Sequence, residues 1–300
     1  KPEIREAAAR NGRQLLDVRH SDQRFDTGKG TKRPGLRLLT VGTDCSVGKK
    51  YTALAIDREI HKRGLSSDFR ATGQTGVLIS GRGVALDAVV ADFISGAAEW
   101  LSPENEPDHW DIVEGQGSLF HPSFAGVTLG LLHGAQPDAF VVCHEPTRAT
   151  MRGVKHPLPS ISQVIDRTIL EGSLTNPKIA CVGIAINTEH LSEEVAMAYL
   201  KETGEAHGLP SVDPIRTGVG QRTEFRLLGR DGAIIELESV AAGNGGFVIR
   251  GQSGDHRVRR AAVRRQGEFR RLAVEVGAGF TPEHRRSSSN APRALTPTTP

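Results

Sequence analysis

Short apolar runs alternate with amphipathic segments along most of the chain. The runs that we interpret as strands lie at residues 36–41, 111–114, 139–143 and 179–187, and we predict a further short strand at 68–72. Runs of this length between turn residues are typical of parallel strands that are buried on both faces. Their alternation with helices predicts an α/β fold with a doubly wound, mostly parallel sheet, whose ligand binds beyond the carboxyl ends of the strands.

Helical periodicity marks the segments between these strands. The first predicted helix covers residues 49–63, with one apolar face and Gly64 as its C-terminal cap. Two more helices are predicted from apolar positions at helical spacing: 89, 93, 96 and 100, then 161, 164, 165 and 169. Ser192 is placed to cap the start of a last helix. The glycines in residues 73–76 predict a turn after the second strand.

The two ends of the chain differ from this regular part. We divide the sequence into residues 1–35, an α/β domain at 36–220 and an atypical tail at 221–300. The first part predicts a closing helix at 4–13 and a strand at 14–18, followed by a polar connector, so we expect it to be the remnant of a domain that begins earlier. In the tail, only 233–237 resembles a strand, and we expect residues 283–300 to be disordered.

Composition narrows the class of protein. With 37% hydrophobic and 24% charged residues in a chain of 300, a wholly disordered protein and a coiled coil are both poor fits. The longest apolar runs are too short to cross a bilayer, so no membrane association is expected. Cys45, Cys143 and Cys181 are too few for a disulfide scaffold and lack zinc-ligand spacing. We therefore expect a reduced, cytoplasmic protein.

The net charge of +3 is unevenly distributed. Residues 221–300 contain 14 arginines, no lysine and 8 acidic residues, whereas residues 1–220 contain 24 basic and 27 acidic residues. An arginine-rich tail could bind nucleic acid. Its only aromatic side chains are four phenylalanines, and it contains no recognisable nucleic-acid module, so nucleic acid is not the partner that we expect.

The sharpest motif lies between the first strand and the first helix. We predict a phosphate-binding loop there, formed by Gly42, Thr43, Asp44, Cys45, Ser46, Val47, Gly48, Lys49 and Lys50. Glycines let backbone N–H groups converge on an anion, the helix start adds partial positive charge, and a lysine adds a full one. The position that usually supplies a Mg²⁺-binding hydroxyl holds Lys50, and Thr52 could replace it only if the helix start were rearranged. The alternative is a plain glycine turn.

Two other candidate residues follow predicted strands. Glu114 ends an apolar run and precedes Gly115 and Gly117, so its carboxylate could hold a metal or a substrate amine, or could simply cap the turn. Asn187 follows the last long strand, where its amide could bind an adenine edge or serve only as a turn residue.

In this order the three motifs resemble dethiobiotin synthetase and its relatives among the P-loop ligases. Those enzymes carry a phosphate loop of the same length that opens Gly-Thr-Asp, a later Glu-Gly pair and an Asn after a late strand. The resemblance implies a P-loop NTPase-like fold and the use of ATP and Mg²⁺, with Glu114 as the metal ligand. The relatives have Thr where this chain has Lys50.

A closer resemblance covers nearly all of residues 1–220. Its motifs are GTDCSVGK at 42–49, ATGQTG at 71–76, VEGQGSLFHP at 113–122, TLGLLHGAQ at 128–136, CHEP at 143–146 and NTEHLS at 187–192. They resemble a P-loop family first catalogued as a domain of unknown function, whose members are named D-glutamate N-acetyltransferase. The resemblance implies a Rossmann-like N-terminal domain before the P-loop domain. Here we expect only a remnant of it, and the tail replaces the short ending that is usual in the family, as a shifted reading frame could produce.

This second resemblance implies transfer of an acetyl group from acetyl-CoA to the amine of D-glutamate or a related amino acid. Such a reaction needs a base and oxyanion donors. Candidate bases are Glu114, His121 and His144, and candidate substrate-binding residues are Gln74, Gln116, Arg148 and Arg152. A structural histidine and a solvated arginine remain the alternatives. An ATP- and Mg²⁺-dependent ligase or kinase, a non-catalytic nucleotide-binding module and a homo-oligomeric assembly also stay open.

Overall fold

The computed structural model describes residues 1–15 and 17–219, together with five short strands between residues 225 and 272. It forms two units, Lys1–Gly251 and Gln252–Pro300. The strand predicted at 233–237 is present as Ile234–Leu237. The disorder predicted at 283–300 lies outside the described residues.

Residues 1–219 contain seven α-helices and six strands in the described structure. The helices are α1 (Pro2–Arg10), α2 (Lys49–Lys62), α3 (Gln74–Ser80), α4 (Ile94–Leu101), α5 (Ala125–Ala135), α6 (Ile161–Gly172) and α7 (Glu193–His207). The strands are β1 (Leu36–Gly42), β2 (Ser67–Arg70), β3 (Trp110–Val113), β4 (Ala139–His144), β5 (Ala180–Ile186) and β6 (Ser211–Val212). Later strands are β7 (Phe225–Leu228), β8 (Ile234–Leu237), β9 (Ile249–Arg250), β10 (Ala261–Arg265) and β11 (Glu268–Leu272).

The first six strands form one parallel sheet in the order β2-β3-β1-β4-β5-β6. The register places Leu36 beside Trp110 and Leu38 beside Ala139, so β1 is central. The connection from β1 runs towards β2, whereas those from β3 and β4 run in the opposite direction. The reversal opens a crevice at the carboxyl end of β1, where ligands of such sheets bind. The predicted parallel α/β fold is confirmed.

Helices cover both faces of this sheet. Alternate side chains of a strand point to opposite faces, and Leu38 and Leu39 accordingly belong to different apolar clusters. On one face, α2 buries Ala53, Ile56 and Ile60 against the strands. On the other face lie α4, α5, α6 and α7. Connections between parallel strands are right-handed. Because the connection from β1 runs in the opposite direction to those from β3 and β4, its helix α2 lies on the opposite face of the sheet from the helices of those two connections.

Several predicted elements were wrong. Residues 73–76 do not form a turn, because α3 begins at Gln74 and Gly76 lies inside this helix. Position 76 requires a glycine, since a larger side chain there would overlap the Glu114 carboxylate. The helix predicted from position 89 begins only at Ile94. Of the strand predicted at 14–18, the described residues (14, 15, 17 and 18) are not in a strand.

Helix α5 was missed by the periodicity analysis. It packs against the sheet, α4 and α6 and contains small and apolar residues on every side. Its sequence therefore lacks the separation into a polar and an apolar face that marks a surface helix. The connector before β1 is also more ordered than its composition suggests. The backbone N–H groups of Lys29 and Gly30 both donate to Glu99 on α4, and Arg33 donates to the Ser102 carbonyl.

The amino edge of the sheet carries a buried polar network. The Arg37 side chain is fully buried, with its Nε 3.8 Å from Asp111 Oδ2, and Arg70 Nε lies 2.7 Å from Asp111 Oδ1. Asp138 accepts hydrogen bonds from the Arg37 backbone N–H and from Asn176 Nδ2, at 2.9 and 3.1 Å. Buried charges are tolerated when they are paired in this way. None of the described helices has both the length and the hydrophobicity to span a membrane.

Candidate functional site

The phosphate-binding loop joins β1 to α2 at the carboxyl edge of the sheet. Ser46 and Gly48 have φ angles of +56° and +104°, in the left-handed region that turns successive N–H groups towards a common point. Lys49 is 6% exposed, and its Nζ donates to the Asp44 carbonyl oxygen at 2.6 Å. Burial lowers the pKa of Lys49. An anionic ligand would therefore stabilise the charged form of the Lys49 amine, because it would replace the hydration that is lost on burial.

The outer side of the loop is held by the segment that follows β4. The fully buried Asp44 carboxylate accepts from the Arg152 backbone N–H at 2.7 Å and from Arg148 Nη1 at 3.1 Å. Arg148 also donates to the carbonyls of Cys45 and Ser46, each at 2.8 Å. These carbonyls are therefore engaged by Arg148 on the outer side of the loop. Two loop N–H groups are also bonded within the protein, since that of Thr43 donates to the Cys143 carbonyl and that of Cys45 to Asp44 Oδ1. Arg148, predicted to bind substrate, thus lies against the loop itself.

Arg148 is itself anchored, and Arg152 reaches the same loop. Glu145 Oε2 lies 2.8 Å from Arg148 Nε, and Arg152 Nη1 donates to Ser46 Oγ at 2.6 Å. Glu145 is buried, and hydrogen bonds and the charge of Arg148 hold its pKa below the usual range in spite of burial. The carboxylate therefore stays charged and fixes the guanidinium of Arg148.

The start of α2 does not offer a hydroxyl to a metal. Lys50 is half-buried, with its Nζ 4.8 Å from the centre of the Tyr51 ring. The Thr52 hydroxyl donates to the Gly48 carbonyl at 3.1 Å and lies 3.5 Å from Cys143 Sγ. Thr52 therefore points into the helix and the core, and the rearranged helix start that would let it bind Mg²⁺ is not present.

Glu114 lies beside the loop, directly after β3. Its Oε2 accepts from the backbone N–H groups of Thr72 and Gly73 at 3.1 and 3.3 Å, at the start of α3. Gln116 Nε2 donates to the Thr72 hydroxyl at 3.0 Å, so both predicted side chains meet the same turn. Burial raises the pKa of Glu114 despite these hydrogen bonds. The carboxyl group can therefore exchange a proton closer to neutral pH than an exposed glutamate does.

His121 has backbone partners at both ring nitrogens. Nδ1 accepts from the Ser123 N–H at 3.2 Å, which leaves Nε2 to donate to the Arg152 carbonyl at 2.9 Å. The imidazole stacks on Phe124 with ring centres 4.4 Å apart. His121 thus ties the segment after β4 to the start of α5. It shares a group of ligand atoms within 4.8 Å with Asp44 and Cys45. Asp44 and His121 already use theirs in hydrogen bonds, so the group does not fit a metal.

His144 connects the loop to a groove between α6 and α7. Its Nδ1 lies 3.0 Å from the Thr43 hydroxyl, and its ring stacks on Tyr199 with centres 6.3 Å apart. Burial lowers the pKa of His144 to about 4. The imidazole is therefore neutral at physiological pH, and Nε2 has no hydrogen-bond partner within the described part of the chain.

Asn187 and Gln74, the other two predicted site residues, differ in exposure: Asn187 is half-buried and Gln74 is exposed. The Asn187 N–H donates to the His144 carbonyl at 2.8 Å, and its Oδ1 accepts from the Glu189 N–H at 3.1 Å, which closes a turn. Gln74 is exposed on the first turn of α3. The structure thus brings the phosphate loop, Glu114, His144, Arg148 and Arg152 to one edge of the sheet.

Residues that the sequence analysis missed complete the arrangement. The buried Ser118 hydroxyl donates to the Thr43 carbonyl at 3.2 Å. Tyr199, from the middle of α7, stacks on His144, and Glu145 anchors Arg148. Glu145 lies within the motif CHEP, which was a usable signal. Tyr199 offered none, because an aromatic residue in a helix usually packs in the core.

Comparison with known proteins gives a consistent result. The family described as the P-loop domain of a domain of unknown function, DUF1611, matches residues 24–222. A protein of Tritonibacter scottomollicae named D-glutamate N-acetyltransferase is 53% identical over 221 residues, which cover 73% of this chain and 66% of that protein. A Pseudoalteromonas protein of the same name is 57% identical over 206 residues, which cover 68% of this chain and 62% of that protein.

A solved structure is also similar. The crystal structure of a DUF1611 family protein from Anabaena variabilis is 38% identical, with a TM-score of 0.64, and the match covers 69% of this chain and 62% of that one. The chain spans just under two thirds of the length of the two curated relatives that it matches.

Proposed function

The chain belongs to the DUF1611 P-loop family, and from this membership we propose that it is an N-acetyltransferase that transfers the acetyl group of acetyl-CoA to D-glutamate. The relatives that carry this name share more than half of their aligned residues with the chain. The observation that carries the proposal is the phosphate loop, which combines a buried lysine with a helix start that lacks a metal-binding hydroxyl. Coenzyme A and ATP share a 5′-pyrophosphate, and such a loop suits either one.

The chain's own residues supply what acyl transfer to an amine requires. The loop amides and Lys49 bind the pyrophosphate of the donor. The amine must lose a proton before its nitrogen attacks the thioester carbon, and we assign this step to the neutral His144. Its Nε2 carries the lone pair in the tautomer in which Nδ1 donates to the Thr43 hydroxyl. The new C–N bond forms as the C–S bond breaks, and the departing thiolate takes up a proton. We propose that backbone N–H groups of residues 116–118 bind the oxyanion, because the N–H of Gly115 already donates to the Thr40 hydroxyl at 3.0 Å.

The residues available to bind Mg²⁺ favour acyl transfer over ATP-dependent ligation. A P-loop ligase needs a hydroxyl at the helix start and a nearby carboxylate to hold Mg²⁺. Here Lys50 occupies the first position, Thr52 is turned inward, and one Glu114 oxygen accepts from two backbone N–H groups. The residues present thus fit Mg²⁺ poorly. The three cysteines are free thiols, which supports the cytoplasmic location that we also propose.

The test is an assay of the 300-residue chain with acetyl-CoA and D-glutamate. We expect release of free thiol that depends on D-glutamate, with N-acetylglutamate identified by mass, and loss of both in Lys49→Ala. L-Glutamate is the matched control for the acceptor. Consumption of Mg²⁺-ATP without thiol release would overturn the proposal in favour of a ligase or kinase. Ligand binding with no product from any combination would indicate a nucleotide-binding module.

A further inference from the structure

Two cavities adjoin the segment that follows β4, and their chemistry differs. The first is a groove of about 450 Å³ between the start of α6 and the second half of α7, with His144 and Tyr199 among its lining residues. The second, of about 490 Å³, is lined by residues 148 and 150–155 of the segment itself. Both volumes fall within the range of small-molecule sites, roughly 300–1,000 Å³.

The groove suits an uncharged ligand. Its walls combine Ile161, Tyr199 and Ala206 with the hydroxyl of Ser162, and its lining contains no lysine or arginine among the described residues. Its only carboxylate is Glu202. A dicarboxylate such as glutamate would find no strong cation there and would meet this negative charge.

The groove also connects directly to the phosphate loop. His144 lies in its lining, and the hydrogen bond from the imidazole to Thr43 links it to the second residue of the loop. A ligand with its pyrophosphate on the loop and an uncharged chain beside it would pass His144. Ser162 Oγ and His207 Nε2, which lie 3.3 Å apart, offer polar partners for amide groups farther along.

The second cavity has the opposite character. Its lining includes Arg148, Arg152 and Lys155 and contains no acidic residue within the described part of the chain. Arg148 is occupied with the loop, as described above. Arg152 also donates to the loop, from Nη1 to Ser46 Oγ, but its side chain is exposed, as is that of Lys155. Two adjacent cations suit a ligand that carries two carboxylates.

We infer that the two cavities separate the two substrates: the groove beside α7 holds the uncharged pantetheine arm of the acyl donor, and the cavity with Arg152 and Lys155 holds the dicarboxylate acceptor. This inference rests on the proposed function. His144 lies where the groove meets the loop and ends the strand from which the lining segment of the second cavity continues.

The groove is tested by filling it. Ala206 is exposed on α7 and lines the groove without touching the phosphate loop, and Ala198→Trp, exposed elsewhere on the same helix, is the matched control. We expect Ala206→Trp to raise the KM for acetyl-CoA at least about tenfold, to leave the KM for D-glutamate unchanged, and to leave inhibition by 3′-phospho-ADP, which lacks the arm, unchanged. Ser162→Phe fills the groove from its other wall and should act in the same way.

The second cavity is tested by removing charge. Lys155→Ala should raise the KM for D-glutamate and leave the KM for acetyl-CoA unchanged, the reverse of Ala206→Trp. The inference is overturned if Ala206→Trp and Ser162→Phe, both folded by circular dichroism, keep the wild-type KM for acetyl-CoA, or if they raise the KM for D-glutamate instead. A wild-type chain that neither binds nor uses acetyl-CoA would overturn the proposed function itself, which is a different result.

Discussion

The two edges of the central sheet use charged residues in opposite ways. At the amino edge, Arg37, Arg70 and Asp111 form a compact ion-pair network, and Asp138 is fully engaged by neighbouring donors. At the carboxyl edge, burial lowers the pKa values of Lys49 and His144 and raises that of Glu114. The amino edge thus holds paired charges. The carboxyl edge also holds ion pairs, between Arg148 and Asp44 and Glu145, but beside them lie three groups whose charged form burial disfavours.

This difference separates a structural edge from a functional one. Buried charges that are paired with each other gain little from a ligand, and losing one partner destabilises the fold. Groups whose charged form is disfavoured by burial are those that bind an opposite charge or exchange a proton when a substrate arrives. We therefore expect mutations at the amino edge to change stability and those at the carboxyl edge to change binding and rate.

The largest effect is expected at the amino edge. Asp111→Asn removes the carboxylate that faces the fully buried Arg37 and should lower the free energy of unfolding by about 3–5 kcal/mol, measured by urea denaturation. Replacing both residues with apolar ones of similar size (Arg37→Met with Asp111→Leu) should restore much of the loss, since no charge is then left unpaired. A loss below about 1 kcal/mol for Asp111→Asn would contradict this view of the edge.

The next effect is a pH dependence that His144 causes. Its pKa falls from 6.5 to about 4 on folding, so the unfolded chain binds more protons between those values. Stability should therefore decrease as the pH falls from about 6.5 to 4, by about 3 kcal/mol from this residue. His144→Asn should show a smaller decrease over the same window, whereas the exposed His190→Asn should match the wild type. Equal pH dependence in all three proteins would show that His144 titrates normally.

A third prediction concerns the buried lysine of the phosphate loop. Lys49→Ala should lower kcat/KM for acetyl-CoA by roughly 100-fold, because the loop then loses the buried ammonium group that we propose to bind the pyrophosphate. Its stability should change little or increase, since burial of an ammonium group is itself unfavourable. Lys62→Ala, at the exposed end of α2, is the control. The contrast between the edges would fail if Lys49→Ala strongly lowered the free energy of unfolding but left kcat/KM for acetyl-CoA unchanged in the folded protein.

The smallest effect is expected from Arg148→Lys. Lysine keeps the charge but cannot donate to Asp44, Cys45 and Ser46 together, so the loop should loosen. We expect the KM for acetyl-CoA to rise about tenfold with an unchanged KM for D-glutamate. A rise in the KM for D-glutamate alone would mean that Arg148 clamps the acceptor, as its position in the sequence first suggested.

Much of the fold and part of the site were readable in local patterns. Most strand positions followed from apolar runs, and α2 and α6 followed from periodicity. Gly64 indicated the end of α2, and Ser192 indicated the start of α7. The phosphate loop followed from glycine spacing between a strand and a helix. Each of these depends on residues close together in the chain, where backbone geometry alone relates spacing to structure. Helix α5 was missed because small and apolar residues on all of its sides leave no alternation of polar and apolar positions.

By itself, the sequence determined that this protein has an α/β sheet with an anion-binding loop and polar residues after its strands. Only the tertiary structure decided what those residues do. It paired Thr43 with His144 and Arg37 with Asp111, turned Thr52 away from a metal, and placed Arg148 behind the loop. These contacts join distant segments, and they depend on strand order and on which face each helix covers. Hydrophobic periodicity is the same for any strand order, so the pairing of polar side chains emerges only when the sheet is assembled.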